Sequence, residues 1–294
     1  MSRSIEDGRR PKAQATLAAL LLLWGGVAAA QPVPWAKLRR ARGLPRAKRA
    51  VAASAMRSLR CYYGCTDTIA RCLRRRRTRA TFIAWRLADY VAFLAGKGLD
   101  RRQIAKVLRF RRRSALPRKV HRIKPDGAPR LGKPKKAKVV IVEYIDYLCG
   151  HCSRLRPLLE RLVRSFPGKV VVYIKPYPLR LGGPQMLAAR AALAAQRQGK
   201  FHRMHALLFA NRRLLDASGL AKLARHARID GARLARDMSD RTLLRRLERY
   251  KIEGMRLGLK GTPALFFNGK RFRLRKDMLH LKERLIEELH MVGP

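Results

Sequence analysis

Cys149-Gly150-His151-Cys152 is the stretch of this 294-residue chain whose residue types and spacing could do chemistry. Two thiols separated by two residues can close into a disulfide and so exchange two electrons with another thiol pair. Zinc knuckles use the same spacing, but zinc needs further ligands and none stands nearby at knuckle spacing. His151, between the thiols, can add positive charge or a hydrogen bond to a thiolate.

The elements that must position the thiols favour redox. Val139 to Ile145 is an apolar, β-branched run that reads as a buried strand. Beyond the tetrapeptide, Leu155, Leu158, Leu159, Leu162 and Val163 recur at helical spacing, so the thiols open a helix. Unpaired N–H groups and the positive end of the helix dipole favour an anion there. Cys149 is therefore expected to be the acidic nucleophile, and Cys152, one turn further in, the resolving thiol. Glu143 lies on the entering strand, where a buried carboxylate would sit under the dithiol and exchange protons with Cys152. Far downstream, Thr262-Pro263 opens the apolar run Ala264–Phe267, which ends in Asn268-Gly269, a hairpin signal. A Pro in a central strand needs a special role, such as a cis bond.

Glu143 to Cys152, Thr262-Pro263, and the segment Gln198-Gly199-Lys200-Phe201 through Phe209 resemble the DsbA-type thioredoxin-fold oxidoreductases of the bacterial envelope. The resemblance covers Lys138 to the C-terminus. It implies a thioredoxin fold interrupted by a helical block, here Pro184 to about Gly258. It also implies a cis Pro263 across from the dithiol. There the Thr262 backbone would pair with an extended substrate, and Pro263 would keep out metal and misplaced thiols. No organic cofactor and no metal is expected, because the dithiol itself carries the electrons. The dipeptide between the cysteines is Gly-His, as in protein disulfide isomerases, where prototype DsbA has Pro-His. That places the potential in the oxidising half of a range from about −270 mV for thioredoxin to about −120 mV for DsbA. His202, His205 and His226, inside the helical block, read as surface or packed histidines.

The rest of the chain sets compartment and partners. Arg3, Arg9, Arg10 and Lys12 precede an apolar stretch ending in Ala28-Ala29-Ala30, the pattern of a secretory signal peptide spanning residues 1–30. An uncleaved anchor is the alternative, although the run is short for a membrane span. Residues 31–117 read as a basic arm followed by a small all-α domain. Its signals are Ala52, Met56 and Leu59; a short helix with Ile69 and Leu73, capped by Thr66 or Asp67; the stripe Ile83, Leu87, Tyr90, Val91 and Leu94; and an Asp100-x-x-Gln103 cap. Leu59-Arg60-Cys61-Tyr62-Tyr63-Gly64-Cys65 faintly resembles the CcmH-type thiol domains of cytochrome c maturation, with one residue too many between the cysteines. That resemblance implies a second redox pair at Cys61/Cys65. A structural disulfide among Cys61, Cys65 and Cys72 is the simpler expectation. Residues 118–137 read as a basic, Pro-containing linker, and 138–294 as the DsbA-like domain. The expected fold class is α/β: a thioredoxin fold with a helical insertion, preceded by a small all-α domain.

Lys+Arg 69 against Asp+Glu 19 leaves a formal net charge of +50. Such a field attracts anionic surfaces. The arginines are spread through every segment, which argues against a nucleic-acid partner and for a composition-wide bias. The expected partners are cysteine-containing envelope proteins and a membrane or periplasmic protein that recycles the dithiol. Two rival readings are a non-catalytic polyanion- or membrane-surface-binding envelope protein and a dedicated thiol partner in cytochrome c maturation.

Overall fold

The computed structural model describes residues 32–291, so the signal-peptide segment lies outside the described residues. From Val33 onward the chain forms one compact unit. After two single turns of 3-10 helix come four helices, α1 (Arg46–Ser58), α2 (Ile69–Arg74), α3 (Phe82–Gly96) and α4 (Arg101–Ala115). The α3 stripe read from the sequence is buried. Asp100 and Gln103 form the expected capping box at α4. The α2 cap is Thr68, whose hydroxyl accepts the Arg71 N–H, and neither Thr66 nor Asp67 serves.

The α/β part follows as β1 (Arg130–Leu131), β2 (Val139–Ile145), α5 (Gly150–Ser165) and β3 (Val170–Pro176). It continues through five helices, α6 (Gly183–Arg197), α7 (Phe201–Ala210), α8 (Ala217–His226), α9 (Gly231–Ser239) and α10 (Arg241–Arg256). It closes with β4 (Ala264–Phe267), β5 (Lys270–Arg271) and α11 (Met278–Met291). The sheet order is β1-β3-β2-β4-β5, with β2 and β3 parallel and the other pairs antiparallel. This is a thioredoxin fold with α6–α10 as its helical insertion. Asp216, Asp230 and Asp240 cap α8, α9 and α10 through their carboxylates, which breaks the insertion into separate helices. Asn268 and Gly269, both at positive φ, turn β4 into β5 as the sequence predicts.

Two expectations are corrected. Residues 118–137 are not a free linker. Arg130 and Leu131 add an edge strand to β3, the His121 N–H donates to the Gly269 carbonyl, and the Tyr250 hydroxyl donates to the Asp126 carbonyl. A two-residue strand held by backbone bonds leaves no apolar period to read. Nor is the helical region a separate body. Arg111 on α4 is buried between Glu283 and Glu287 of α11, the last helix of the thioredoxin fold, and so joins the two regions.

Candidate functional site

Period-2 alternation on β2 explains what lies beneath the dithiol. Val139, Ile141 and Ile145 share one face with Glu143 and pack into the core that includes Cys152, Leu155 and Leu159 of α5, whereas Val142 and Tyr144 face a second cluster. Glu143 is thus sealed in apolar surroundings, registered against Ile174 and Leu265 on the two neighbouring strands. It is 2% exposed, and its Oε1 has no hydrogen-bond partner. Burial, with a smaller contribution from the Cys149 charge, pushes its carboxyl up to about 8.

Cys149 caps α5 and is partly exposed; Cys152 lies inside the first turn and is fully buried. Both are free thiols. The Cys149 thiol donates to the Thr262 carbonyl at 3.3 Å, which brings the Thr262-Pro263 segment directly against it. The peptide bond between Thr262 and Pro263 is cis. Burial raises the Cys149 pKa, but hydrogen bonding from Thr262, Cys152 and the His151 backbone outweighs it and holds the thiol below its ordinary value. Cys152 goes the other way, pushed well up by burial and then by the Glu143 charge. The Thr262 hydroxyl, buried with no close partner of its own, stands as a donor that favours both thiolates. His151 is exposed, and Arg154 Nη2 lies 3.0 Å from its Nδ1. With Arg154 donating, Nδ1 is an acceptor and the ring proton sits on Nε2.

All six residues singled out from the sequence, Glu143, Cys149, His151, Cys152, Thr262 and Pro263, therefore converge where the C-terminal end of β2 meets the N-terminal end of the antiparallel β4. The structure adds three that sequence reasoning missed. Asp146 is buried with both oxygens engaged, Oδ1 by the Leu148 N–H and Oδ2 by the Leu179 N–H, each at 2.8 Å, which fixes the turn into Cys149. Lys276, just before α11, shares a groove of about 910 Å³ with His151, Arg154, Thr262 and Pro263. Burial holds its ammonium below the ordinary value against the pull of Cys152 and Cys149. Arg212 leans over Gly150, where an added Cβ would meet its Nη1 at 2.9 Å. His205 is a packed histidine: its Nδ1 meets the Tyr147 hydroxyl at 3.0 Å, and burial, with Arg156 and His202 nearby, pushes its pKa down to about 3.

A thioredoxin fold with one accessible and one buried thiol at a helix N-terminus is an arrangement suited to thiol–disulfide exchange. The chain belongs to the thioredoxin family, whose model matches residues 125–287. It is 29% identical to a thioredoxin-like oxidoreductase from Silicibacter pomeroyi, with a TM-score of 0.51 over 55% of this chain and 92% of that one. A periplasmic thioredoxin-like protein from Salmonella enterica serovar Typhimurium is 26% identical, with a TM-score of 0.50 over 60% of this chain and 94% of that one. Among curated proteins, the Na(+)/H(+) antiporter NhaA 3 of Salinispora tropica is 32% identical over 139 residues, 47% of this chain and 21% of the antiporter. The chain thus spans about a fifth of the length of the curated relatives it matches. Among the described residues, no helix is long and apolar enough to cross a membrane.

Proposed function

We propose that this chain is an exported oxidoreductase that exchanges disulfides with cysteines of other envelope proteins through Cys149 and Cys152. The observation that carries the reading is the asymmetry of the thiols: Cys149 is accessible and acidic, whereas Cys152 is buried with a raised pKa. A nucleophile must be thiolate and reachable, and a resolving thiol must stay silent until a mixed disulfide forms beside it. Export rests on the basic-then-apolar segment of residues 1–30 and on the likeness to a periplasmic relative.

Disulfide exchange then runs in two steps. The Cys149 thiolate attacks one sulfur of a substrate disulfide, forming a Cys149–substrate bond and releasing the other substrate sulfur as thiolate. Cys152 next loses its proton and attacks Cys149 Sγ, closing the Cys149–Cys152 disulfide and releasing the second substrate thiolate. Two electrons have left the dithiol, and the same steps reversed oxidise a substrate dithiol. Glu143 is the proton acceptor for Cys152: a carboxyl titrating near 8 exists in both forms at neutral pH. The His151 backbone N–H and the Thr262 hydroxyl favour the Cys149 thiolate. The Thr262 carbonyl, already an acceptor for the Cys149 thiol, offers a backbone partner to an extended substrate, with Pro263 shielding the sulfurs.

Alkylation of the reduced protein at mildly acidic pH tests the assignment: Cys149 should react first, with Cys152 protected. Preferential labelling of Cys152 overturns it. Insulin reduction or peptide oxidation by the full chain separates catalysis from simple polyanion binding. Trapping of substrates on a Cys152→Ala variant would show which partners it meets. A dedicated role in cytochrome c maturation loses its motivating pair, because Cys65 is bonded to Cys72 and not to Cys61.

A further inference from the structure

The dithiol opens between two clusters of positive charge. On one side Arg154, Arg275 and Lys276 line the groove of about 910 Å³ that includes Thr262 and Pro263. On the other, Arg212 and Arg213 line a second depression of about 480 Å³ beside Leu148, and Arg212 reaches over Gly150 within the active-site tetrapeptide. The acids around them do little to neutralise this. Asp277 faces its own His280 at 2.7 Å and Arg275 at 3.3 Å. Asp146 spends both oxygens on backbone N–H groups, and Glu143 lies buried under the thiols. Among the described residues no ion pair involves Arg154, Arg212, Arg213 or Lys276. Arg154, Arg212, Arg213 and Arg275 are exposed, so their charges are available to a ligand.

Resting on the disulfide-exchange reading, we propose that the site selects cysteines carried on extended segments with acidic residues on both sides. A strand-like peptide paired with the Thr262 backbone would lie across the Cys149 sulfur. Its residues before and after the cysteine would point toward Lys276 and Arg275 at one end and Arg212 at the other. Apolar Leu155, Leu158 and Leu274 along the first groove accept the stem of a Glu side chain as well as its charge. A basic segment meets repulsion at both ends. Like-charge contact makes the choice more discriminating than attraction alone would.

The whole chain is strongly cationic, so the test must separate the groove from the general field. Single-cysteine peptides of equal length, flanked by Glu, Gln or Lys and presented as mixed disulfides, are reacted with the reduced full-length protein at low and high salt. The Glu peptide should form the Cys149 adduct on the order of tenfold faster than the Lys peptide at low salt, with the ratio shrinking at high salt. Arg275→Glu with Lys276→Glu should abolish that ratio. The same charge change at Arg57 and Arg74, exposed on α1 and α2, should leave it standing. Equal rates for the three peptides overturn the selectivity while leaving the exchange reaction in place. Reaction with none of them overturns the exchange reading itself. An equal loss of preference in the two double variants assigns the preference to the general field and removes the groove from it. Should the groove double variant fail to fold, Lys276→Gln read with the same peptides decides, because a neutral substitution there must also reduce the ratio.

Discussion

Glu143 and Glu283 are both carboxylates hidden from water, each 2% exposed, and the protein treats them in opposite ways. Glu283, on α11, receives Arg111 Nη2 and Arg40 Nη2, each at 3.1 Å, and Arg86 Nε at 3.0 Å. Burial pushes Glu283 up, but these guanidiniums outweigh it and hold the carboxyl below its ordinary value. Glu143 has no cation against it, and burial wins. Next to Glu283, Glu287 takes Arg111 and Tyr62, and Glu288 takes Arg284, Lys270 and Asn268. A buried charge that is paired fastens two regions together; a buried carboxyl left alone titrates high enough to exchange a proton with a neighbouring thiol. The difference lies in the neighbours, since the residue type and the degree of burial are the same.

The largest effect should come from breaking the paired side. Arg111→Met leaves Glu287 with only the longer contact to the Arg284 guanidinium, at 3.7 Å, and Glu283 with two of its three guanidiniums. Removing one partner of a buried pair typically costs about 3–5 kcal/mol. Chemical denaturation of the variant should show a loss of that size, with dithiol exchange retained wherever the protein remains folded. A loss below about 1 kcal/mol would mean that the cluster is wet and the contrast with Glu143 is false.

The two carboxyls should also pull stability in opposite directions with pH. Glu283 has a depressed folded pKa, so its contribution is present above the ordinary carboxyl value near 4.5 and is lost as pH falls through the folded value. Glu143 has a raised one. Between about 4.5 and about 8 the unfolded chain has lost the proton and the folded chain has not, so stability falls as pH rises through that window. Glu143→Gln should therefore be more stable than the parent at pH 8, by on the order of a few kcal/mol, with the gap closing toward pH 4.5. The same variant should slow closure of the Cys149–Cys152 disulfide from a mixed disulfide, roughly a hundredfold, and flatten its dependence on pH. Denaturation and stopped-flow exchange measured at several pH values read both. A parent and variant with parallel pH–stability curves would show that Glu143 is already ionised in the fold.

Much of the site was legible because its parts are local. The strand, the two thiols at the head of a helix, the carboxyl at an inward β2 position and the Pro before an apolar strand each leave a pattern within about ten residues. What was not legible depends on distance along the chain. Asp146 is a positioning residue only because the Leu179 N–H, 33 residues on, returns to it. Arg111 looks like one more arginine of a basic run until Glu283, 172 residues later, is set beside it. Lys276 and Arg212 reach the dithiol from loops that carry no motif. Residues 118–137 read as a linker because a two-residue edge strand is too short to show a period. The junction of the helical region with α11 was hidden for the same reason as Arg111: the region keeps a hydrophobic cluster of its own, and the buried ion pairs that fasten it to α11 leave no apolar stripe to read.

The smallest effect should come from the helical region's own thiols, and it tests whether that region fastens or reacts. Cys65 and Cys72 form a disulfide across seven residues of sequence, and Cys61 is a buried free thiol. The pairing follows from the backbone. Gly64 sits at positive φ, where a Cβ would fall 2.1 Å from the Ala80 carbonyl, and the Cys65 N–H donates to that same carbonyl at 2.7 Å. This holds Cys65 against the loop before α3 and beside the first turns of α2, which carry Cys72. Cys61 instead turns its thiol to the Tyr63 carbonyl at 3.2 Å, and burial raises its pKa, so it is a poor nucleophile. A loop this short restricts the unfolded chain only modestly, by about 2 kcal/mol. Replacing Cys65 and Cys72 together by Ala should lower the melting temperature by an amount matching that energy. It should leave the rate of exchange at Cys149 unchanged, because no thiol of the helical region is both accessible and acidic. If the folded double variant exchanged much more slowly than the parent, the two thiol clusters would be in redox contact, and the helical region would be a working part of the enzyme.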